Sequence, residues 1–287
     1  MNESSLTTIE NQSFSEERAL YALSDAFIKN CRFEGKEDGE SALKEARNIK
    51  VEGCFMDLRY PLWHVTNANI SGTKFSENCR APLWYDKNIT ISDCSIKGIK
   101  ALRECDGVVI KDTIASSEEF LWKCRNLTIE NLEIENSEYP FFEIEGAKIS
   151  CLKLKGKYSF QYDSNIEIEN SQLDTKDAFW HSKNITVKNS IIKGEYLGWY
   201  SENRTLINCH ISGTQPFCYC KNLVLKNCTM EGCDLAFEKS TIRAEITGSI
   251  DSIKNPLGGK IQADSIGKII MEEGIVDRAK TEIILST

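Results

Sequence analysis

Asn184-Ile185-Thr186-Val187-Lys188-Asn189-Ser190-Ile191-Ile192 is the stretch whose reading decides the fold. Near-copies stand at Asn222-Leu223-Val224-Leu225-Lys226-Asn227-Cys228-Thr229-Met230 and Asn88-Ile89-Thr90-Ile91-Ser92-Asp93-Cys94-Ser95-Ile96. With the first residue as position zero, copies begin at Asp25, Asn48, Asn67, Asn88, Gly107, Asn126, Gly146, Asn165, Asn184, Asn203, Asn222 and Thr241, about 19 residues apart. A period this regular marks a solenoid.

The columns of the repeat say which kind. Three residues after zero every copy is apolar and most are β-branched, as Ile28, Val51, Ile70, Ile91 and Val187. One after zero is mostly aliphatic, with Arg204 the exception. Apolar residues two apart with Lys, Glu, Thr or Ser between them read as a strand buried on one face. Five after zero stand Asn30, Asp93, Asn131, Asn189 and Asn208, turn residues that can stack as an amide ladder. Eight after zero is apolar again. The repeat is too short for a helical solenoid and lacks the Leu-x-x-Leu-x-Leu pattern of leucine-rich repeats. The expected fold is all-β: a single-stranded, right-handed parallel β-helix of about twelve coils over residues 17–256. Residues 1–16 read as a lead or cap, and 257–287 as a capping segment over the open end, where bare strand edges would invite pairing.

These stacked coils resemble the pectin-lyase-like superfamily of right-handed β-helices. Ala19-Leu20-Tyr21-Ala22-Leu23, Asp38-Gly39-Glu40-Ser41-Ala42-Leu43-Lys44-Glu45 and Ala81-Pro82-Leu83-Trp84-Tyr85 add a closer likeness. With them the chain is similar to a bacterial family of β-helix proteins of unknown function. That resemblance spans nearly the whole chain and implies the fold, but no activity. The Asp and Arg arrangements of pectate lyases and polygalacturonases are not identifiable here, and activity does not transfer on fold alone.

A net charge of -8 argues against nucleic acid as a partner. The N-terminus has no basic region followed by an apolar run, and no apolar run reaches membrane-spanning length, so a cytoplasmic protein is expected. The 12 cysteines show no metal-ligand spacing. Cys31, Cys54, Cys94, Cys209 and Cys228 share one column, Cys105, Cys124 and Cys220 another, which stacks thiols within disulfide reach. Without an export signal they read as reduced, buried apolar groups. No motif for phosphate, dinucleotide or metal is present, so no cofactor is expected.

Chemistry, if any, belongs to three columns before zero. Five before zero is an unbroken apolar column of Leu and Phe relieved only by Gly198 and Ala236. Four before zero holds all five tryptophans, Trp63, Trp84, Trp122, Trp180 and Trp199, with Lys44, Arg103 and Gln161 among them. Three before zero holds His64, Tyr85, Glu104, Lys123, Glu143, Tyr162, His181, Tyr200 and Tyr219. A regular strand would put the first and third of these on one face and the tryptophans on the other. Burying Leu and Phe would then bury Glu104 and Glu143 too, unless a bulge turns the column or an inner Glu104–Lys123–Glu143 ladder forms. Either orientation leaves an aromatic or apolar column toward solvent or a partner. As a ligand groove, Trp63, Trp84, Tyr85, Trp122, Trp180 and Trp199 would stack on sugar rings, and Lys44 and Arg103 would hold acidic groups. Glu104, Glu143 and His181 are the candidate acid–base groups. The alternative is a non-catalytic scaffold whose strip pairs two copies as a homodimer.

Overall fold

Each Asn-Ile-x-Ile stretch forms a short strand because its β-branched pair packs inward while the residues between them face water. Strands one coil apart then pair in parallel, in register. The computed structural model of the protein describes residues 6–36 and 39–286. Residues 1–5 of the expected lead, and Asp38 of the family-like motif, lie outside them. The chain forms two compact units, one running to Lys148 and the other starting at Ile149.

In the first unit, Thr7–Glu10, Ser24–Lys29, Arg47–Glu52, Thr66–Ser71, Lys87–Ser92, Asp106–Ala115 and Arg125–Glu138 pair in succession, all parallel. In the second, Ser164–Glu169, Lys183–Lys188, Glu202–Ile207, Lys221–Glu231, Thr241–Ile246, Gly258–Ala263 and Thr281–Leu285 do the same. A second parallel ladder in each unit carries the residues eight after zero, such as Phe33, Met56, Phe75 and Ile96, or Leu173, Ile192 and Ile211. The fold is the expected parallel β-solenoid, with no α-helix among the described residues. It has about 15 turns rather than about twelve. The difference lies at the ends, where residues 7–14 make a paired coil and 258–285 add two further rungs.

The amide ladder expected five after zero forms, and a second one stands at position zero. Asn184 donates to Asn165, Asn203 to Asn184 and Asn222 to Asn203, each at 3.0 Å. Asn208 and Asn227 continue the ladder five after zero from Asn189 at 3.0 and 2.8 Å. All these asparagines have φ between 49° and 59°, the left-handed turn region that Asn tolerates best among non-glycine residues.

Two outliers in the repeat explain each other. Arg204 stands where other coils have an aliphatic core residue and is 1% exposed. In the same coil, Gly198 replaces the Leu or Phe found five before zero in most others. A Cβ at Gly198 would lie 3.1 Å from Arg204 Nη1 and 2.8 Å from the Phe217 ring. The guanidinium therefore fills the space that the missing side chain leaves. It sits 4.5 Å over the Phe179 ring and donates to Ser182 Oγ and the Phe179 carbonyl. Its Nε has no partner, and burial pushes its pKa down to about 10. Leu is compatible with the backbone there, because Leu62, Leu83 and Leu102 hold the same left-handed φ in other coils. Gly198→Leu alone should therefore cost about 3 kcal/mol through overpacking against a buried charge. Adding Arg204→Ile should return most of it, a coupling of about 2 kcal/mol or more in urea-unfolding cycles.

Candidate functional site

The three columns before zero do not form a regular strand. Residues seven, five and three before zero are all left-handed: φ is 58°, 58° and 59° at Tyr60, Leu62 and His64, and 58°, 57° and 61° at Tyr158, Phe160 and Tyr162. Each still bonds to a neighbouring coil. Leu62 N–H donates to Ala42 O of the coil before, while Tyr60 and His64 donate to Arg80 O and Trp84 O of the coil after. This alternation turns three consecutive side chains in three directions. Leu62, Leu83, Leu102, Leu121, Phe141, Phe160, Phe179 and Phe217 point into the core. The tryptophans are half-buried along the bend, and the Tyr/His/Glu column stands outside. Of the two orientations the sequence left open, Leu and Phe are the inner column, and this is met without burying Glu104 or Glu143, both of which are exposed.

The tryptophan column works as a seam. Trp63 and Trp84 stack at 5.1 Å and 3° between ring planes, Trp180 and Trp199 at 5.4 Å and 4°. Every indole N–H donates to a backbone carbonyl seven before zero in the next coil: Trp63 to Ala81, Trp84 to Lys100, Trp122 to Tyr139, Trp180 to Tyr196, Trp199 to Gln215, at 2.6–2.8 Å. Gln161 makes the same bond to Asp177 at 2.9 Å, which explains a polar residue in this column. Arg103 lies between Trp84 and Trp122, 4.7 and 4.6 Å from their centroids, and its Nη2 donates to Glu119 at 2.6 Å. Both faces of Arg103 and its charge are thus engaged within the protein. Lys44 is half-buried in the same column.

The outer column differs between the units. In the first, His64 and Tyr85 stack at 4.8 Å, with Tyr85 edge-on to Trp84, and then charged residues take over. Glu143 pairs with Lys123 at 3.7 Å on the surface, so the ladder considered for the interior is an outer one. In the second, Tyr162, His181, Tyr200 and Tyr219 form one continuous stack at 5.0, 5.0 and 4.8 Å, their planes within 12° of parallel. Tyr162 is 53% and Tyr200 43% exposed. His181 has Tyr162 on one face and Tyr200 on the other, leaving only its edge to solvent. Tyr162 and Tyr219 were not among the expected ligand residues. Their signal was the recurrence of ring residues over four consecutive coils of the outer column.

Beneath Tyr85, Asp86 is fully buried. Its Oδ1 accepts from Val65 N–H at 2.8 Å, while Oδ2 has no partner. Burial, with the Cys105 thiol nearby, raises its carboxyl well above the ordinary range. All twelve cysteines are free and eleven are buried. Burial pushes Cys94 up to about 11 and Cys233 up to about 12, and their Sγ atoms donate to backbone carbonyls, as Cys94 to Ser92 at 3.2 Å. Cys94 and Cys233 are therefore packing groups rather than nucleophiles. Among the described residues no helix is long and apolar enough to cross a membrane.

A family model described as "Protein of unknown function (DUF3737)" matches residues 7–284. No curated protein matches the chain. Among solved structures, the chain is similar to the A-module of mannuronan C-5 epimerase AlgE4 from Azotobacter vinelandii, at 11% identity over 99% of this chain and 92% of that one, TM-score 0.40. It is similar to the plasmid-mediated fluoroquinolone resistance protein QnrB1 at 11% identity, over 79% of this chain and 90% of that one, TM-score 0.25. It is also similar to tailspike protein 3 of bacteriophage CBA120 at 8% identity, over 96% of this chain and 51% of that one, TM-score 0.29. These proteins differ widely in what they do, and no activity is carried from them.

The buried acid gives a test of the packing under the strip. The folded state holds the Asp86 proton more tightly than the unfolded chain does. Stability from this group is therefore full below the unfolded carboxylate pKa of about 4 and is lost as pH rises above it. Asp86→Asn keeps the acceptor for Val65 N–H and removes the titration. We expect the variant to be more stable than the parent at pH 7 by about 1.4 kcal/mol for each unit of the shift, with a flatter stability profile above pH 4 in urea unfolding.

Proposed function

This chain belongs to the DUF3737 family, and we propose that it binds an extended saccharide along the Tyr162–His181–Tyr200–Tyr219 column without catalysing a reaction on it. The observation that carries the reading is the four-ring stack, one ring per coil, exposed at Tyr162, His181 and Tyr200 and half-buried at Tyr219. Interior rings of such a stack have spent both faces on each other, so they offer edges, hydroxyls and imidazole nitrogens. A row of hydrogen-bonding groups repeating once per coil suits a partner that repeats its own hydroxyls. Tyr219 keeps its proton, since burial and Glu238 raise its pKa, and so it can donate. The tryptophans support this row from behind rather than forming the contact themselves.

A non-catalytic role follows from the placement of the candidate acid–base groups. Glu104 and Glu143 are solvated on the surface, Glu143 is paired with Lys123, and His181 belongs to another unit and is stacked on both faces. The cytoplasmic location expected from the sequence is part of the same proposal, with an intracellular glycan as the ligand. Edge-on rings with outward hydroxyls also fit a flat protein contact, which keeps pairing of two copies as the second reading.

Tyr200→Ser and Tyr219→Ser should each weaken binding to a responsive glycan by about tenfold on an array or by calorimetry, with the fold intact by circular dichroism. Trp122→Phe, in the other unit, should leave that affinity unchanged. Absence of binding across neutral and acidic glycans would rule the reading out. A dimer in sedimentation that Tyr200→Glu dissociates would put the homodimer in its place.

A further inference from the structure

The second unit also carries an open cleft of about 870 Å³ on a different face, the outer side of its last coils. Val224, Arg243, Lys260 and Glu282 follow one another in strand register there, each pointing outward. Arg243 and Lys260 are thus directly opposite across a strand pair, an arrangement of like charges that costs stability unless something neutralises it. Some other outward cations of this unit meet carboxylates. Lys221 and Lys183 share Glu202 at 3.0 and 3.7 Å, and Lys176 meets Glu195 at 3.3 Å. No ion pair joins Arg243, Lys260 or Lys280 among the described residues, although Glu245 and Glu282 also line the cleft.

The hollow is built into the backbone. Gly258 follows Thr241 in register and presents no side chain. Gly259, at φ 113°, is required, because a Cβ there would lie 1.9 Å from the Ile242 carbonyl oxygen. Leu257, 44% exposed, borders the cleft. Three cations and two carboxylates, with Glu282 facing Lys260 in register, therefore line a space that the glycine pair keeps open, a local excess of positive charge in a chain whose net charge is -8.

We propose that this cleft is an oxyanion-binding site for a ligand carrying a phosphate or sulfate group. Arg243 offers parallel N–H donors matched to two oxygens of the group, and Lys260 and Lys280 add point charges. Binding relieves the repulsion between Arg243 and Lys260. Glu245 and Glu282, the latter facing Lys260 in register, accept hydroxyl donors from the rest of the ligand and repel a second anion. The site is independent of the aromatic column and stands or falls separately from it.

The test is calorimetry and thermal melting of the full chain with glucose 6-phosphate, glucose 6-sulfate and, as the uncharged control, glucose. One of the two esters should bind saturably with one site and raise the melting temperature, glucose should do neither, and the responding ester identifies the anion. Arg243→Gln and Lys260→Gln should each weaken that binding by about tenfold or more. Lys193→Gln, which removes a cation paired with Asp174 in the same unit, should not. Lys260→Gln should also lose the ligand-induced rise in melting temperature. Failure of both esters to bind saturably overturns the proposal. So does equal weakening by Lys193→Gln, which would mean diffuse attraction rather than a site.

Discussion

The structure depends on one requirement: every coil must offer its N–H and C=O groups to the coils on either side, at the bends as well as along the strands. A buried backbone group left unpaired costs about as much as a lost hydrogen bond. In flat strands the parallel ladder meets the requirement without strain. At the tight bend before each Asn it is met by left-handed residues at alternate positions, including Leu, Phe, Tyr and His. Such a conformation costs roughly 1–2 kcal/mol for each non-glycine residue. The strain is held because each strained residue makes a bond to an adjacent coil, as Leu83 to Pro61 and Tyr85 to Arg103. The same alternation explains why core, seam and surface occupy three consecutive positions.

Stacking in register turns each position of the repeat into a column, and each column solves one problem. The Asn columns satisfy side-chain amides with their own kind. In six coils the seam column ties one bend to the next through one side-chain N–H. Indole also stacks, and Gln161 makes the same bond without a ring. The thiol column behaves similarly: Cys54 and Cys94 accept their places beside Thr73 and Thr113, whose hydroxyls bond the same kind of backbone group. A buried carbonyl there needs a small donor, and thiol and hydroxyl both qualify.

Much of this was legible in the sequence, and the failures have a physical pattern. The register, the parallel pairing and the inner aliphatic faces followed from Asn184-Ile185-Thr186-Val187 and its copies, because period-two burial is written directly in residue type. The orientation of the Leu/Phe column stayed open, because its unbroken apolarity pulled inward while strict alternation would have carried Glu104 and Glu143 with it. What did not follow was the conformation at the bend. Left-handed residues are signalled by Gly, Asn or Asp, and here bulky residues adopt that conformation under tertiary constraint. Without it, Glu104 and Glu143 looked as though they would be carried inward, and Arg103 looked like a free cation rather than one held between Trp84 and Trp122. The pairing of Arg204 with Gly198 was written in the repeat as two departures in a single coil. Only the core geometry showed that one makes room for the other. The coil count fell short at the ends because segments such as Thr7–Glu10 and Thr281–Leu285 pair as rungs without carrying the full pattern.

The bend also bears on where function can reside. An aromatic side chain recognises a sugar either with its face or with its polar edge. In the seam, Trp180 and Trp199 cover each other's faces, and their N–H groups are bonded to the backbone, so both modes are already used inside the fold. One residue further along, the outward turn of the left-handed position leaves Tyr162 and Tyr200 exposed and Tyr219 half-buried. The position richest in tryptophan is therefore the structural one, and its less conspicuous neighbour is the one with unspent chemistry. In a solenoid, exposure of a column is set by the backbone at that position and is inherited by every coil. Column placement, rather than residue type, is therefore what separates a contact surface from a seam in this chain.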